Sequence, residues 1–375
     1  MHGRDPTTLG RSAPCADRLR AQPDGDCTMA TRVGYFYDAA HVAHNSVSHP
    51  ENSTRLTETL RTIERLGLNR TLVQIASTPA TLDQILAVHT AQEVDLVRAA
   101  SAQNRGFLDP DTYVTPDSFE AALRAAGGSI ACVDAVLSGQ VASAYALVRP
   151  PGHHATPQRP MGFCLFNNVA IAARHAIQRY GLRRILIVDF DVHHGNGTQD
   201  AFYDSPDVLY FSTHEYPFYP GSGDLREVGS GPGVGYTVNV PLPPDCGDDE
   251  YRAVYRDVLV LVARRYAPEL ILVSAGYDPH WSDPLANMRV SVGGFRDLLS
   301  VISLLAAESC QGRLVMTLEG GYNVQALSDA IATSLYLLQG EDTVVDTLGP
   351  AAAPARRPDV QPIIEAARRT HRLND

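Results

Sequence analysis

Residues 188-VDFDVHHGNGTQD-200 decide how this chain is read. The stretch completes an apolar run that starts at Arg184 and then places Asp189, Asp191, His193 and His194 within six residues. Buried charge is costly, and unpaired buried charge especially so, so a strand that ends in these residues implies something that holds them together. Asp191 and His193 are two apart, and if the strand extends that far their side chains share one face. Carboxylate oxygen and imidazole nitrogen suit zinc, and a catalytic zinc site has three protein ligands plus a water. The best third ligand is Asp278, which closes 270-LILVSAGYD-278 and is followed by Pro279. An Asp–His–Asp set leaves the metal open to water, and its two carboxylates largely neutralise the cation.

Short runs rich in β-branched residues recur along the chain: 33–38, 144–150, 184–191, 208–214, 237–242, 270–278 and 313–322. Their continuous hydrophobicity suits strands buried on both faces, as in a parallel sheet. The spacing of apolar residues predicts helices over 55–68, 168–181, 251–266 and 295–308, the second capped by asparagine and ended by glycine. The alternation reads as one α/β domain with a central parallel sheet flanked by helices. Four of the strands run into polar turns, PPGHHA, VHHGNGT, YDPHWSDP and GGYN. Ligand sites in open parallel sheets form outside the carboxyl ends of the strands, so these turns deliver His, Asp and Tyr to one rim.

Composition narrows the function classes. The chain has 375 residues, 44% hydrophobic and 19% charged, with a formal net charge of −11. The negative balance argues against broad nucleic-acid binding, and no apolar run reaches the roughly 20 residues of a membrane span. Every Lys/Arg position is arginine, so the protein has no lysine of its own to be acetylated. The six cysteines show no paired spacing, which points away from a disulfide framework and towards a reducing cytoplasm. Residues 1–30 lack a secretory apolar segment and read as a disordered extension or a start assigned too early, with Met29 just before the first strand-like run. The catalytic domain is expected over residues 31–340, and 341–375 as a peripheral linker and tail that includes a short amphipathic helix.

Other residues gather at the rim. His153 and His154 follow Pro150-Pro151-Gly152, where they are either further metal ligands or an acid/base pair. Asp189 is placed to turn behind the metal and orient His153, and Asn196 to hold His154 without charge. Tyr322 ends LEGGY, where two glycines allow a close turn that aims a phenol at a developing oxyanion. Phe163 and Tyr219 lie beside glycines and could form a narrow apolar slot. Taken alone, each of these aromatic residues is as readily a packing residue.

The set RPPGHHA, GFCLFNNVAIAA, VDFDVHHGNGTQDAFY, SAGYDPHWSDPL and LEGGYN resembles the zinc-dependent histone deacetylase family, in its class II-like bacterial branch with the related acetylpolyamine amidohydrolases. The resemblance spans roughly residues 32–340. It implies the arginase–deacetylase fold, a single domain with an eight-stranded parallel sheet between helices, and hydrolysis of the amide of an acylated amine. It implies Zn²⁺ on Asp191, His193 and Asp278, with Fe²⁺ or Co²⁺ as alternatives. It also implies His154 as general base and acid, His153 as its electrostatic partner linked to Asp189, and Tyr322 on the acyl carbonyl. Gly162, Phe163 and Tyr219 would wall an acyl-lysine tunnel, with Gly320 near the substrate chain and Asp111 at the rim. A potassium ion would use Asp189, Asp191, His193 and Ser212, and Arg55 would lie near an acetate exit.

Within that resemblance Asn196 follows the class II pattern. Leu285 stands where polyamine-selective members carry a glutamate, which tilts the reading towards acyl-lysine in proteins or peptides. The competing substrate is an acetylated polyamine or another small acylated amine. A non-catalytic acyl-lysine reader would lack a ligand or the tyrosine, and ureohydrolase chemistry would need more aspartates for a two-metal cluster.

Overall fold

The structure, a computed structural model, describes residues 32–352 and 356–373, and the extension expected over residues 1–30 lies outside them. In chain order the strands are β1 (Val33–Phe36), β2 (Val73–Gln74), β3 (Gly106–Phe107), β4 (Tyr113–Val114), β5 (Ser143–Ala146), β6 (Ile185–Asp189), β7 (Val208–Glu215), β8 (Thr237–Leu242), β9 (Leu270–Ala275) and β10 (Leu314–Leu318). The helices are α1 (Thr54–Arg65), α2 (Leu82–Leu86), α3 (Ala91–Ala102), α4 (Ser118–Leu137), α5 (Asn168–Tyr180), α6 (Asn196–Phe202), α7 (Asp248–Val254), α8 (Val260–Tyr266), α9 (Val292–Cys310), α10 (Val324–Leu338) and α11 (Gln361–Thr370). A π-helical turn, Tyr255–Leu259, joins α7 to α8.

Eight strands form one sheet in the order β2-β1-β5-β10-β9-β6-β7-β8, and every pairing is parallel. Each of the seven apolar runs overlaps one of these strands. The eighth, β2, is a two-residue edge strand that no apolar run announces. The small antiparallel pair β3–β4 stands apart.

Alternation along the strands divides the core. Ala144, Ile185, Ile187 and Leu272 face a layer that includes Val133 of α4 and Val169 and Ala173 of α5. Tyr145, Leu186, Val188 and Val273 face α1, α9 and α10 through Leu56, Leu298 and Ile331. Both layers are dry, which is why β6, β7, β9 and β10 are buried along their whole length. Helix α5 is capped by Asn167, whose side chain accepts the Ala170 N–H, and stops at Gly181 with φ of 70°. Helix α4 carries two glycines, each a cost in helix propensity. A Cβ on Gly128 would fall 1.9 Å from the Phe36 ring of β1, so the helix lies too close to the sheet for a side chain there.

The segment after residue 340 is held more closely than a peripheral tail. Helix α11 forms as its amphipathic pattern predicts, but Val360, Ile364, Ala367 and Leu373 join the larger core cluster, and Arg265 donates to the His371 carbonyl. Hydrophobic area therefore ties the C-terminal segment to the domain. Replacing Ile364, 2% exposed, by alanine is expected to cost about 2–4 kcal/mol in denaturant unfolding. A peripheral helix would give a loss below about 0.5 kcal/mol.

A buried acid sits in the third, smaller cluster under α2 and α3. Both Glu93 oxygens lack a hydrogen-bond partner, and burial pushes the carboxyl up to about 9. His89 Nδ1 lies 3.5 Å away. Its ring is committed, with Nδ1 donating to the Thr156 carbonyl and Nε2 accepting the Asn167 N–H, and burial lowers it to about 4. Both side chains are thus neutral at pH 7. The folded-state pKa of Glu93 exceeds the unfolded value of about 4.3. Its contribution is therefore most favourable below that value and is lost as pH rises towards 9. Glu93→Gln should raise the melting temperature at pH 8, with the gain shrinking as the pH is lowered to 4. A gain that does not depend on pH would contradict this account.

Candidate metal centre and acyl pocket

The strands that end in the polar turns, β5, β10, β9 and β6, are consecutive neighbours in the sheet although far apart in the chain. Their carboxyl ends therefore meet at one place. Strand β6 stops at Asp189, so Asp191 and His193 do not share a strand face as expected. They converge because the chain turns: the His193 N–H donates to Asp191 Oδ1 (2.9 Å), and the Asp191 N–H donates to Asp189 Oδ1 (3.2 Å).

Asp191, His193 and Asp278 come together as a three-donor cluster, their ligand atoms within 4.8 Å of one another. His193 Nδ1 lies 3.2 Å from both Asp191 Oδ1 and Asp278 Oδ2. The other oxygen of each carboxylate is already used. Asp191 Oδ2 accepts the Gly320 N–H and Asp278 Oδ1 accepts the Val192 N–H, each at 2.8 Å. Both aspartates are almost wholly buried. Burial and the charge of Asp191 push Asp278 up to about 7, while His153 and His193 outweigh burial and hold Asp191 low. Two buried carboxylates, each with its second oxygen turned towards the same imidazole, form a donor set that fits a divalent cation. The backbone closes around it: a Cβ on Gly276 would fall 2.0 Å from Asp191 Oδ2, and one on Gly320 would fall 2.2 Å from Asp278 Oδ2.

The two histidines after β5 have different environments. His153 Nδ1 is 3.1 Å from Asp189 Oδ2, and its Nε2 is 3.8 Å from Asp191 Oδ1. Burial opposes protonation, but Asp191 and Asp189 prevail and raise His153 to about 10. His154 Nδ1 is 2.8 Å from Asn196 Oδ1, while the Asn196 amide nitrogen faces the His154 carbonyl and Met161 Sδ. An amide oxygen only accepts, so Nδ1 carries the proton and Nε2 keeps its lone pair. Burial and the neighbouring His153 and His193 hold His154 well below the usual range.

A cavity of about 220 Å³ opens over this centre and is lined by Asp111, Gly162, Phe163, Tyr219, Leu285, Gly320 and Tyr322 together with His153, His154 and His193. The His154 ring lies 5.1 Å from that of Tyr219, and Phe163 meets Tyr322 edge-on at 5.7 Å. Burial raises the Tyr322 hydroxyl far above its ordinary value, with the Arg55 charge opposing, so it stays a proton donor. Arg55, Asp189 and Ser212 do not line the cavity. Arg55 lies beneath, with its guanidinium 5.1 Å from the Tyr322 ring centre and donating to the Glu319 and Gly321 carbonyls. Ser212 pairs with Asp189 across β6 and β7. A larger cavity of about 590 Å³ lies near the amino ends of β6, β7 and β8, where its one histidine, His371, has no hydrogen-bond partner for its ring.

Comparison with known proteins bears on this geometry. Residues 49–338 match the family described as "Histone deacetylase domain". The chain belongs to the histone deacetylase family. It is 43% identical over 330 residues to "Histone deacetylase 14, chloroplastic" of Arabidopsis thaliana, covering 84% of this chain and 78% of that protein. It is 39% identical over 296 residues to a "Probable deacetylase" of Archaeoglobus fulgidus, covering 78% and 82%. It is also 39% identical to "Polyamine deacetylase HDAC10" of Homo sapiens, over 78% of this chain and 45% of that protein. The crystal structure of an HDA15 HD domain superposes with a TM-score of 0.83 at 33% identity, covering 91% of this chain and 94% of that one. This deacetylase therefore has the arginase–deacetylase fold and is a hydrolase acting on acetylated amides, in a family that depends on zinc.

Sequence reasoning missed three residues of the site. Phe218 stacks on His193 with ring centres 5.5 Å apart, and its signal was its place beside Tyr219 before Pro-Gly. Asp283, within SDPL, accepts the N–H groups of Tyr322 (2.6 Å) and Asn323 (3.2 Å) through Oδ2 and that of Leu285 (2.9 Å) through Oδ1. Glu319 holds the backbone at Gly152 and His153. Carboxylates that bind mainly backbone amides leave no spacing pattern. The cradle at Gly276 yields a direct test: Gly276→Ala should fold but hold much less than one equivalent of metal by elemental analysis. Full metal content in that protein would show that the carboxylate pair is not packed as described.

Proposed function

We propose that this deacetylase hydrolyses the amide of acyl-lysine side chains in proteins or peptides, giving free amine and a carboxylate such as acetate. The observation that carries the reading is the narrow cavity walled by Phe163, Phe218, Tyr219 and Leu285, which ends at His154, Tyr322 and the Asp191–His193–Asp278 cluster. An unbranched alkyl chain fits such a slot, and its amide then lies among the acid, the base and the metal ligands. Leu285 offers no counter-charge to a polycation.

In this reading Asp191, His193 and Asp278 hold Zn²⁺, with Fe²⁺ or Co²⁺ as other occupants. A bound zinc ion would polarise the acyl carbonyl and lower the pKa of a water to about 7. His154 takes the proton of the attacking water at Nε2. The Tyr322 hydroxyl donates to the carbonyl oxygen as it gains charge, where a preorganised donor is worth most. His153, protonated between Asp189 and Asp191, keeps a positive charge beside His154 and holds its basicity down. His154 then returns the proton to the departing nitrogen as the C–N bond breaks. Potassium remains assigned to Asp189, Asp191, His193 and Ser212, supported by the placement of Asp189 opposite Ser212. A reducing cytoplasm is the proposed location, supported by the free, buried Cys132, Cys164, Cys246 and Cys310.

A second substrate, an acetylated polyamine, is favoured by one feature. Asp111 lines the cavity, and burial together with neighbouring Asp109 raises its carboxyl, so two acidic side chains stand close together beside the site. Turnover of an acetyl-lysine peptide against acetylspermidine and acetylputrescine decides between them, with metal content measured on the same protein. The peptide should be the faster substrate, and Tyr322→Phe should lower kcat by about 10²–10³-fold. A clear polyamine preference would reassign the substrate. Failure to turn over any of the three, with metal bound, would remove both readings.

A further inference from the structure

Glu319 closes β10 immediately before Gly320 and is fully buried. Its Oε2 accepts two consecutive backbone N–H groups, those of Gly152 (2.7 Å) and His153 (3.1 Å). Its Oε1 accepts the hydroxyl of Ser274 on β9 (3.1 Å). Consecutive amides form a concave anion site, and hydrogen bonds to a carboxylate are stronger than those between neutral groups. Burial acts against the charge and raises this carboxyl to about 7. A buried carboxylate is a costly way to satisfy two amides unless something depends on where those amides sit.

What depends on them is the acid–base turn. Gly152 is trapped between Glu319 and the start of α5: a Cβ there would fall 2.5 Å from the Asn168 nitrogen and 2.9 Å from the Phe166 carbonyl oxygen. The His153 and His154 rings then pack together with centres 4.1 Å apart. Gly162 closes against the other side of His154, its own Cβ position 2.5 Å from the imidazole. In the turn after β10 Glu319 precedes Gly320, whose N–H holds Asp191, and Tyr322, which lines the cavity. One side chain thus spans the turn that carries the histidines and the turn that carries a ligand clamp and the phenol.

We propose that Glu319 is a positioning residue that fixes the His153–His154 turn against the metal ligands and Tyr322. It acts through reach and hydrogen bonding and does not touch the reacting atoms. The inference rests on the acid–base role given to His154 above. Geometry of this kind affects turnover more than binding, because a shift of about 1 Å can cost on the order of 10²-fold in rate.

Three variants separate reach from charge. Glu319→Gln keeps the length and an accepting oxygen but loses the charge. Glu319→Asp keeps the charge but withdraws it by about 1.5 Å, one carbon–carbon bond. Glu319→Ala removes both. Steady-state kinetics on the faster of the peptide and polyamine substrates, with metal content and melting temperature recorded, should leave the Gln protein within about fivefold of the parent. The Asp and Ala proteins should lose at least about 30-fold in kcat, with KM within about threefold and metal retained. An Asp protein more active than the Gln protein would assign the effect to charge and overturn the proposal. So would Asp and Ala kcat values close to the parent, or losses confined to KM. If the Ala protein does not fold, the order of Gln and Asp still decides. Turnover by the parent, measured alongside, tests the function itself, so failure there is distinct from failure of the Glu319 assignment.

Discussion

Everything at this site follows from keeping Asp191 and Asp278 buried beside each other. Taking a carboxylate out of water costs several kcal/mol even after relaxation, and two that face one imidazole repel as well. The fold offsets part of that cost with backbone amides, one oxygen of each carboxylate accepting an N–H from Gly320 or Val192. The remaining oxygens face His193, with His153 also 3.8 Å from that of Asp191. A divalent cation is a group that would complete such a set, and its binding would then be linked to local folding stability. The glycines follow from the same constraint, since the chain at Gly276 and Gly320 passes too close to the carboxylates to carry side chains.

The parallel sheet makes that gathering possible. Every strand of the main sheet points the same way, so every turn at its carboxyl end opens on one side. Strand order then selects which turns meet. The chain forms β5 and β6 early but leaves a gap between them, which β9 and β10 later fill. Residues 153, 191, 278 and 320 become neighbours only when those late strands enter. The long β-branched runs that build the two dry core layers are thus also what aligns the chemistry.

The same physics explains how much could be read from the sequence. Seven strands were legible because burial on both faces leaves an unbroken apolar run. Two-residue β2 leaves none. Helices α4 and α10 were not marked because they are largely apolar, rich in Ala, Gly and Ser, with small residues that let them lie close to the sheet and to α1. The Asp191, His193 and Asp278 cluster was legible because polar residues closing apolar strands are anomalous. The strand ends at Asp189, before the point at which a shared face would apply, and a turn brings Asp191 and His193 together instead. Asp283 and Glu319 were illegible for a related reason: most of their partners are backbone amides, which every residue has.

The paired histidines show how one fold can place two identical side chains in opposite states. Both are buried and adjacent, so solvent does not distinguish them. The difference lies in the partner at Nδ1, a carboxylate for His153 and a neutral amide for His154. The carboxylate stabilises a cation, and that cation, about 4.1 Å away ring to ring, further disfavours a second proton on His154. A neutral imidazole with its proton fixed on Nδ1 can accept only at Nε2. Replacing Asn196 by an aspartate would add a charge at His154, raise its basicity and narrow the difference between the two rings. The neutral amide therefore leaves the Nε2 lone pair of His154 available to accept a proton.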